Sequence, residues 1–128
     1  MTGARLAFFK LNVAEMASAL AFWRDAFGFA VTASFAEPDF DEHILGLPGQ
    51  EGGPNLMLVC WRDGRDTAPG PGHGPVGFAC DDIAASYARA VAAGATADSG
   101  VFAVGPVQVA LLHSPDGHEI ELVQLPAA

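Results

Sequence analysis

The sequence predicts an α+β fold in which two βαβββ modules form one curved mixed sheet, shaped like a cup. Three observations support this prediction. Of the 128 residues, 51% are hydrophobic and 16% are charged, so a chain of this length can bury the core of one domain. Two segments carry apolar residues at helical spacing, and each is followed by a glycine, Gly28 or Gly94. The order of strand, acidic residue, helix and glycine occurs twice, which indicates an internal repeat.

The first predicted module covers residues 1–62. Apolar side chains recur at helical spacing ahead of Gly28, and short apolar runs bounded by turn residues mark the strands. The predicted elements are a strand over 6–13, a helix over 16–27, and strands over 29–35, 42–47 and 55–61.

A linker is predicted over residues 63–75, which are rich in glycine and proline and lack a periodic apolar pattern. The second module covers residues 76–128. Asp81 or Asp82 would cap its helix, because a short acidic side chain accepts hydrogen bonds from the free N–H groups of a first turn. Its elements are a strand over 76–80, a helix over 83–93, strands over 101–102 and 107–112, a turn over 114–117 and a strand over 119–125.

The charge of the chain excludes two classes of partner. Lysine and arginine number 6, and aspartate and glutamate number 15, for a formal charge of −9. Nucleic acids and anionic membranes are bound through positive charge, so neither is expected. No apolar run approaches the roughly 20 residues of a membrane-spanning helix, and residues 1–5 do not resemble a signal peptide. Cys60 and Cys80 stand in apolar runs, and we interpret them as buried thiols of a cytoplasmic protein.

Three stretches of the chain resemble the vicinal oxygen chelate superfamily, the glyoxalase/bleomycin-resistance/dioxygenase family. The run AFWRDAFGF over 21–29 is similar to the end of the family's first helix. The run FACDDI over 78–83 is similar to the start of its second module. The run SPDGHEIEL over 114–122 is similar to the family's characteristic ending. The resemblance covers nearly the whole chain and implies paired βαβββ modules in a homodimer that binds a small molecule.

Metal enzymes of this family hold a divalent ion with four side chains from the first and last strands of each module. Matched by position, these residues are here Phe8, Met57, Pro75 or its immediate neighbour, and Glu121. Only Glu121 is a competent ligand, because Phe and Pro lack a side-chain donor and a thioether suits Mg, Mn, Ni or Zn poorly. The resemblance thus leads us to expect no metal and no cofactor, and it disfavours glyoxalase I and extradiol dioxygenase activity.

Glu121 and Lys10 are the candidate catalytic residues. Glu121 alternates with Ile120 and Leu122 and should face the cup, and Lys10 shares its strand face with Phe8. In one interpretation Glu121 is a cation anchor or a general base. In the other it is an inherited carboxylate that pairs with a basic residue, for which Lys10 is the candidate. Burial of such a pair would perturb the pKa of the carboxyl group.

Four apolar residues fall on the cup-facing phase of their strands and are the candidate ligand-binding residues. Together they would form an aromatic lining suited to a flat or hydrophobic ligand. Packing under a loop or across a dimer interface is the alternative interpretation. These residues are Phe8, Met57, Val59 and Trp61.

The histidines show no spacing typical of a metal site. His43 follows Glu42, but neighbouring strand residues face opposite ways and do not converge on one atom. His118 lies at a turn, where a structural role is expected. Asp81 and Asp82 are interpreted as a helix cap rather than as a pair of catalytic carboxylates.

Three functions remain open at this point. The first is a metal-free protein, similar to the bleomycin-resistance type, that binds a hydrophobic or cationic small molecule. The second is a metal-independent isomerase or lyase in which Glu121, with Lys10, removes a proton beside a carbonyl group. The third is a glyoxalase-type metal-dependent lyase with a non-standard ligand set.

Overall fold

The computed structural model describes residues 2–127 and divides into two compact units. The first unit runs from the N-terminus to Arg24 and from Gly28 to Thr67. The second contains Asp25–Phe27 and the chain from Ala68 onward. The division near Thr67 falls inside the predicted linker, but the last turn of the first helix groups with the second unit. The predicted module boundaries therefore stay a prediction.

The first unit holds a four-stranded mixed sheet in the order β1-β4-β3-β2. β1 runs parallel to β4, and the two other pairings are antiparallel. Leu45, Leu56 and Leu58 are at most 1% exposed and share one face of this sheet, as the register of β3 with β4 requires. The elements are β1 (Phe8–Asn12), α1 (Met16–Phe27), β2 (Ala30–Ala36), β3 (Phe40–Gly46) and β4 (Asn55–Trp61).

The second unit repeats this plan, with β5 parallel to β9 and the order β5-β9-β8-β6. Its buried face carries Ile120 and Leu122 of β9, both fully buried, and α2 contacts β8 and β9. The elements are β5 (Val76–Ala79), α2 (Ile83–Ala92), β6 (Thr96–Ala97), β7 (Phe102–Val104), β8 (Val107–His113) and β9 (Glu119–Gln124).

The α+β class with two sheets and two helices is confirmed, but the second module differs from a plain βαβββ unit. Its edge is made of two short strands, β6 and β7, which both pair with β8. Between them the N–H groups of Asp98 and Ser99 both donate to the carbonyl of Leu111, which interrupts the regular ladder. The predicted strand over 101–102 is therefore displaced to Phe102–Val104, and β6 was not predicted.

Both helices begin at an acidic cap. The Glu15 carboxylate accepts hydrogen bonds from the N–H groups of Ala17 and Ser18 ahead of α1. Asp82 caps α2 by accepting from the N–H of Ala85, which decides between the two predicted aspartates. Gly28 ends α1 with a φ of 86°, a left-handed conformation that glycine adopts without strain.

The two cysteines are more exposed than the sequence predicts. Cys60 and Cys80 are partly exposed free thiols, not buried ones, and each donates weakly to a backbone carbonyl, of Ala14 and Phe78 respectively. Cys60 is the next-to-last residue of β4, and Cys80 follows the end of β5, so neither lies in a strand centre. Within residues 2–127, neither helix is long and apolar enough to span a membrane.

Candidate functional site

The candidate residues of the first unit share one face of its sheet. The register pairs Lys10 with Met57 across β1 and β4, and Glu42 with Val59 across β3 and β4. Directly paired residues project to the same side of a sheet, so these strands present one common surface, which we call the Trp61 face. It consists of Phe8, Lys10, Asn12, Phe40, Glu42, Ile44, Met57, Val59 and Trp61.

An ion pair crosses the middle strand on this face. Lys10 Nζ of β1 lies 2.8 Å from Glu42 Oε2 of β3, and β4 runs between the two. One of the two interpretations of Glu121 made Lys10 its candidate partner. Lys10 pairs instead with a carboxylate of its own sheet, because β4 brings β1 and β3 within reach of a long side chain.

The two members of this pair have very different exposure. The Lys10 side chain is 45% exposed, whereas the Glu42 side chain is only 10% exposed. Glu42 Oε2 is fully covered, and the Lys10 ammonium at 2.8 Å compensates its charge. The charge of this buried carboxylate is thus met by a single cation that stays partly in contact with solvent.

The predicted lining residues divide into a covered and an open group. Met57 and Val59 are 5% and 3% exposed, and the Lys10–Glu42 ion pair crosses β4 between their positions. Phe8, by contrast, is 49% exposed, and the Lys10 ammonium lies 5.6 Å from its ring centroid. Ligand contact with Phe8 needs no rearrangement, whereas Met57 and Val59 stay a predicted lining beneath the ion pair.

Trp61 is held in place from three sides. Its indole N–H donates to Asn12 Oδ1 at 2.9 Å, and the Phe40 ring lies 4.9 Å away between centroids. The Arg65 guanidinium lies 3.8 Å above the Trp61 ring, a cation–π geometry. Hydrogen bonds from Arg65 lower the pKa of Asp63 to about 2. The Asp63 carboxylate in turn keeps the Arg65 guanidinium in position.

A pocket of about 340 Å³ opens beside the Trp61 face, at the turn between β2 and β3. Volumes of this size hold small organic ligands. Two aromatic rings and three carboxylates contribute to it, and Glu42 is the one carboxylate that is buried. Its lining consists of Phe35, Glu37, Pro38, Asp39, Phe40 and Glu42.

Arg62 fixes the turn that carries this pocket. Its guanidinium donates to the Glu37 carbonyl from two nitrogens, at 2.9 and 3.2 Å, and forms a two-pronged contact with the Asp41 carboxylate. Its backbone N–H donates to the carbonyl of Asp39. Because Arg62 uses the backbone of Glu37 and Asp39, their carboxylates stay free of it and border the pocket.

Glu121 lies on the face of the second sheet that does not carry the buried core. It is half-buried and paired with Gly77 of β5 and Leu111 of β8. The space that a Gly77 side chain would fill is open, with nothing within 4 Å of a Cβ built there. Within residues 2–127 the Glu121 carboxylate has no ion-pair partner.

Three of the four histidines are occupied by local contacts. His43 Nδ1 lies 2.7 Å from the Ser34 hydroxyl, and His113 Nδ1 contacts the Asp98 carboxylate. The backbone N–H of the buried His118 donates to Ser114 Oγ, and burial lowers the pKa of its imidazole. In the described part of the chain, no three His, Cys, Asp or Glu side chains are grouped so that they could hold a metal ion.

Three residues of this site were not predicted from the sequence, namely Glu42, Arg62 and Asn12. Glu42 was considered only as the neighbour of His43, although its alternation with Phe40 and Ile44 places it on the same face as those residues. That alternation was the available signal for Glu42. The roles of Arg62 and Asn12 depend on contacts between separate strands, for which a single sequence gives no signal.

Comparison with protein families shows to which superfamily the chain belongs. The profile of the glyoxalase/bleomycin resistance protein/dioxygenase superfamily matches residues 5–122. The chain belongs to this superfamily. Among curated proteins, none matches the sequence.

Solved structures of the superfamily have the same fold. Glyoxalase I from Zea mays superposes with a TM-score of 0.85 at 19% identity, over 97% of this chain and 46% of that one. This chain thus spans about half the length of the maize enzyme. A glyoxylase/bleomycin resistance protein/dioxygenase domain from Frankia sp. EAN1pec gives 0.80 at 14% identity, over 98% and 100%. TnmS3, an antibiotic binding protein from Streptomyces sp. CB03234, gives 0.75 at 25% identity, over 99% of both chains.

Proposed function

We propose that this superfamily member binds an aromatic small molecule, hydrophobic or cationic, on the Trp61 face and in the adjoining pocket, without a divalent metal ion. The observation that carries the proposal is the cluster of aromatic rings at a pocket of ligand size. Trp61 and Phe40 lie in contact, and Phe40 also lines the pocket. Flat ligands stack on such rings with little loss of side-chain entropy.

The chemistry of the four positions at which the family's enzymes hold a metal supports the metal-free part. Matched by the family resemblance, they are Phe8, Met57, Pro75 or its immediate neighbour, and Glu121. Phe and Pro supply no donor atom, and the thioether of Met57 suits a hard divalent ion poorly. A single carboxylate does not hold a catalytic ion, so this set does not fit the metal of the family's enzymes.

Two further facts favour binding over catalysis. The formal charge of −9 attracts cationic molecules to the protein. TnmS3, whose whole length this chain matches at 25% identity, is an antibiotic binding protein. We also propose a homodimer, as the family resemblance implies, and a place in the cytoplasm, because the free thiols Cys60 and Cys80 suit a reducing compartment.

Equilibrium dialysis with acridine, a planar aromatic probe, tests the proposal in buffer containing EDTA. We expect saturable binding that EDTA leaves unchanged. Trp61→Ala should weaken it about tenfold or more, because stacking and indole contacts are lost. Phe102→Ala is the matched control, since it removes an exposed ring from the second sheet. Equal loss in both variants, or binding that requires added metal, would contradict the proposal.

A second candidate function is a metal-independent isomerase or lyase with Glu121 as its general base. The observation that favours it is the open space at Gly77 beside a half-buried carboxylate. A base needs its substrate within hydrogen-bond reach, and this space supplies room for one. Lys10 forms its ion pair with Glu42, so this candidate rests on Glu121 alone.

Two substitutions test this candidate once turnover of a carbonyl substrate is found. Glu121→Gln should abolish turnover while leaving substrate binding intact. Gly77→Val should fill the space beside the carboxylate and raise KM. Turnover in Glu121→Gln at the rate of the unmodified protein would exclude Glu121 as the base.

A further inference from the structure

We infer that Glu42 is the anchor for a ligand cation and that Lys10 occupies this anchor as an internal substitute for the ligand. This inference rests on the proposed function and deepens it by naming the ligand class. The ligand would be an aromatic molecule carrying an ammonium or amidinium group. Its charge would be held by Glu42, and its rings would lie against Phe35 and Phe40.

Glu42 is a buried carboxylate with a single cationic partner. An ionised carboxylate that is 90% buried is costly unless cations or donors compensate it. Here the compensation is one lysine ammonium, which lies 2.8 Å from the covered Oε2 atom and is itself 45% exposed. A ligand cation that is better shielded from water could therefore replace Lys10 at this carboxylate.

Glu42 also borders the pocket beside the Trp61 face. It is at once a member of the Trp61 face and a wall of the 340 Å³ pocket. A molecule in that pocket would reach Glu42 from the side opposite to β1, because β1 and the pocket lie on different sides of β3 along the sheet order β1-β4-β3-β2. A ligand cation and Lys10 would then compete for one carboxylate.

The other charges around the pocket are mostly negative. Glu37 and Asp39 add two carboxylates at its rim, on a turn held by Arg62. The guanidinium of Arg62 is paired with Asp41, and that of Arg65 with Asp63. The hydrogen bond with Asp63 raises the pKa of Arg65, and the charge of Asp39 makes a smaller contribution in the same direction. The local excess of negative charge favours a cationic over a neutral ligand of the same shape.

Displacement of Lys10 would affect the covered side chains of Met57 and Val59. The ion pair crosses β4 between Met57 and Val59, so its opening removes the polar contact that spans them. A ligand that takes over Glu42 could then place an apolar part against these two side chains. This would bring the covered pair of predicted lining residues into contact with the ligand.

Two probes of similar shape and different charge test the inference. 9-Aminoacridine is a cation near neutral pH, and acridine is neutral there. Equilibrium dialysis at moderate salt measures both dissociation constants for the unmodified protein and for three variants. We expect the unmodified protein to favour the cation about tenfold, the size expected for one additional charge contact.

The variants should move this preference in opposite directions. Glu42→Gln should remove it, and Lys10→Met should increase it several-fold by strengthening 9-aminoacridine binding more than acridine binding, since the competing ammonium is gone. Glu119→Gln, on the second sheet, removes the same charge elsewhere and should preserve the preference. Circular dichroism establishes that each variant is folded.

Each outcome separates the inference from the proposed function. A preference that survives in Glu42→Gln, or weaker 9-aminoacridine binding in Lys10→Met, would overturn the inference while acridine binding upholds the proposed function. Loss of the preference in Glu119→Gln would assign it to the overall charge and also overturn the inference. If neither dye binds the unmodified protein, both the inference and the proposed function for this ligand class are wrong.

Discussion

His118 is a buried histidine whose surroundings make the stability of the fold depend on pH. Burial lowers its pKa below the usual value of 6.5, with a smaller contribution from His73, and Asp116 partly opposes the shift. Its backbone closes the turn before β9, since its carbonyl accepts from Ser114 N–H at 2.8 Å. Because the His118 ring is buried in this turn, folding favours its neutral form.

The predicted effect follows from proton binding by the two states. The unfolded chain takes up a proton at His118 near pH 6.5, before the folded protein does, so the free energy of unfolding falls as the pH drops below that value. Above it this contribution is fully present. Urea unfolding at about pH 7.5 and about pH 5.5 measures the loss, and His118→Gln should reduce it. An unchanged pH dependence in the variant would contradict the assignment.

The ion pair of Lys10 shows how far residue-level prediction from sequence can reach. Alternation along β1 and β9 indicated which side chains share a face, but it did not identify partners on other strands. Lys10 meets Glu42 because β4 is inserted between β1 and β3, an order that arises only when the sheet assembles. The same limit concealed the Trp61–Asn12 hydrogen bond.

At the scale of elements, the helix caps carry local stability. Asp82 accepts a hydrogen bond from Ala85 N–H at 3.1 Å at the start of α2, whose Ile83 and Ala90 are buried. The Gln124 side chain accepts from Ile83 N–H at 2.8 Å, which joins the first turn of α2 to the end of β9. Both contacts use N–H groups that a helix leaves unpaired.

Loss of the Asp82 cap should lower stability by a measurable amount. We expect Asp82→Ala to reduce the free energy of unfolding by about 1 kcal/mol, or about 4 °C in Tm. Asp81→Ala is the matched control, and it should stay within about 0.5 kcal/mol of the unmodified protein. Thermal denaturation followed by circular dichroism gives both values. Equal losses in the two variants would mean that the cap is not the source of the effect.

Element prediction succeeded where apolar periodicity was strong and failed at the sheet edge. The segments assigned to α1, β4, β8 and β9 were found within a residue or two of their predicted limits. β6 has two exposed residues and no alternation to detect. Its existence depends on backbone pairing of Thr96 with His113, which sequence pattern does not encode.

At the scale of the whole molecule, the family resemblance predicts a homodimer. Light scattering coupled to size-exclusion chromatography should then give a mass of twice the 13.2 kDa of one chain. A mass of 13.2 kDa at all concentrations would contradict the dimer.

The family and fold class were predictable from the whole sequence because repeated motifs and glycine-terminated helices extend over most of its length. The ligand was not, because superfamily members share a scaffold while the residues that line the site decide what is bound. In the site proposed here, those residues are the rings of Trp61 and Phe40 and the buried Glu42.

Native mass spectrometry tests the central claim of metal-free ligand binding most directly. Protein purified without a metal-affinity tag is dialysed against EDTA and measured with 9-aminoacridine, then with Ni²⁺, Mn²⁺, Zn²⁺ or Fe²⁺ added. We predict one dye bound per chain in the presence of EDTA and no stoichiometric metal adduct. Stoichiometric metal uptake, together with dye binding only in its presence, would contradict the claim and return the protein to the metal enzymes of its superfamily.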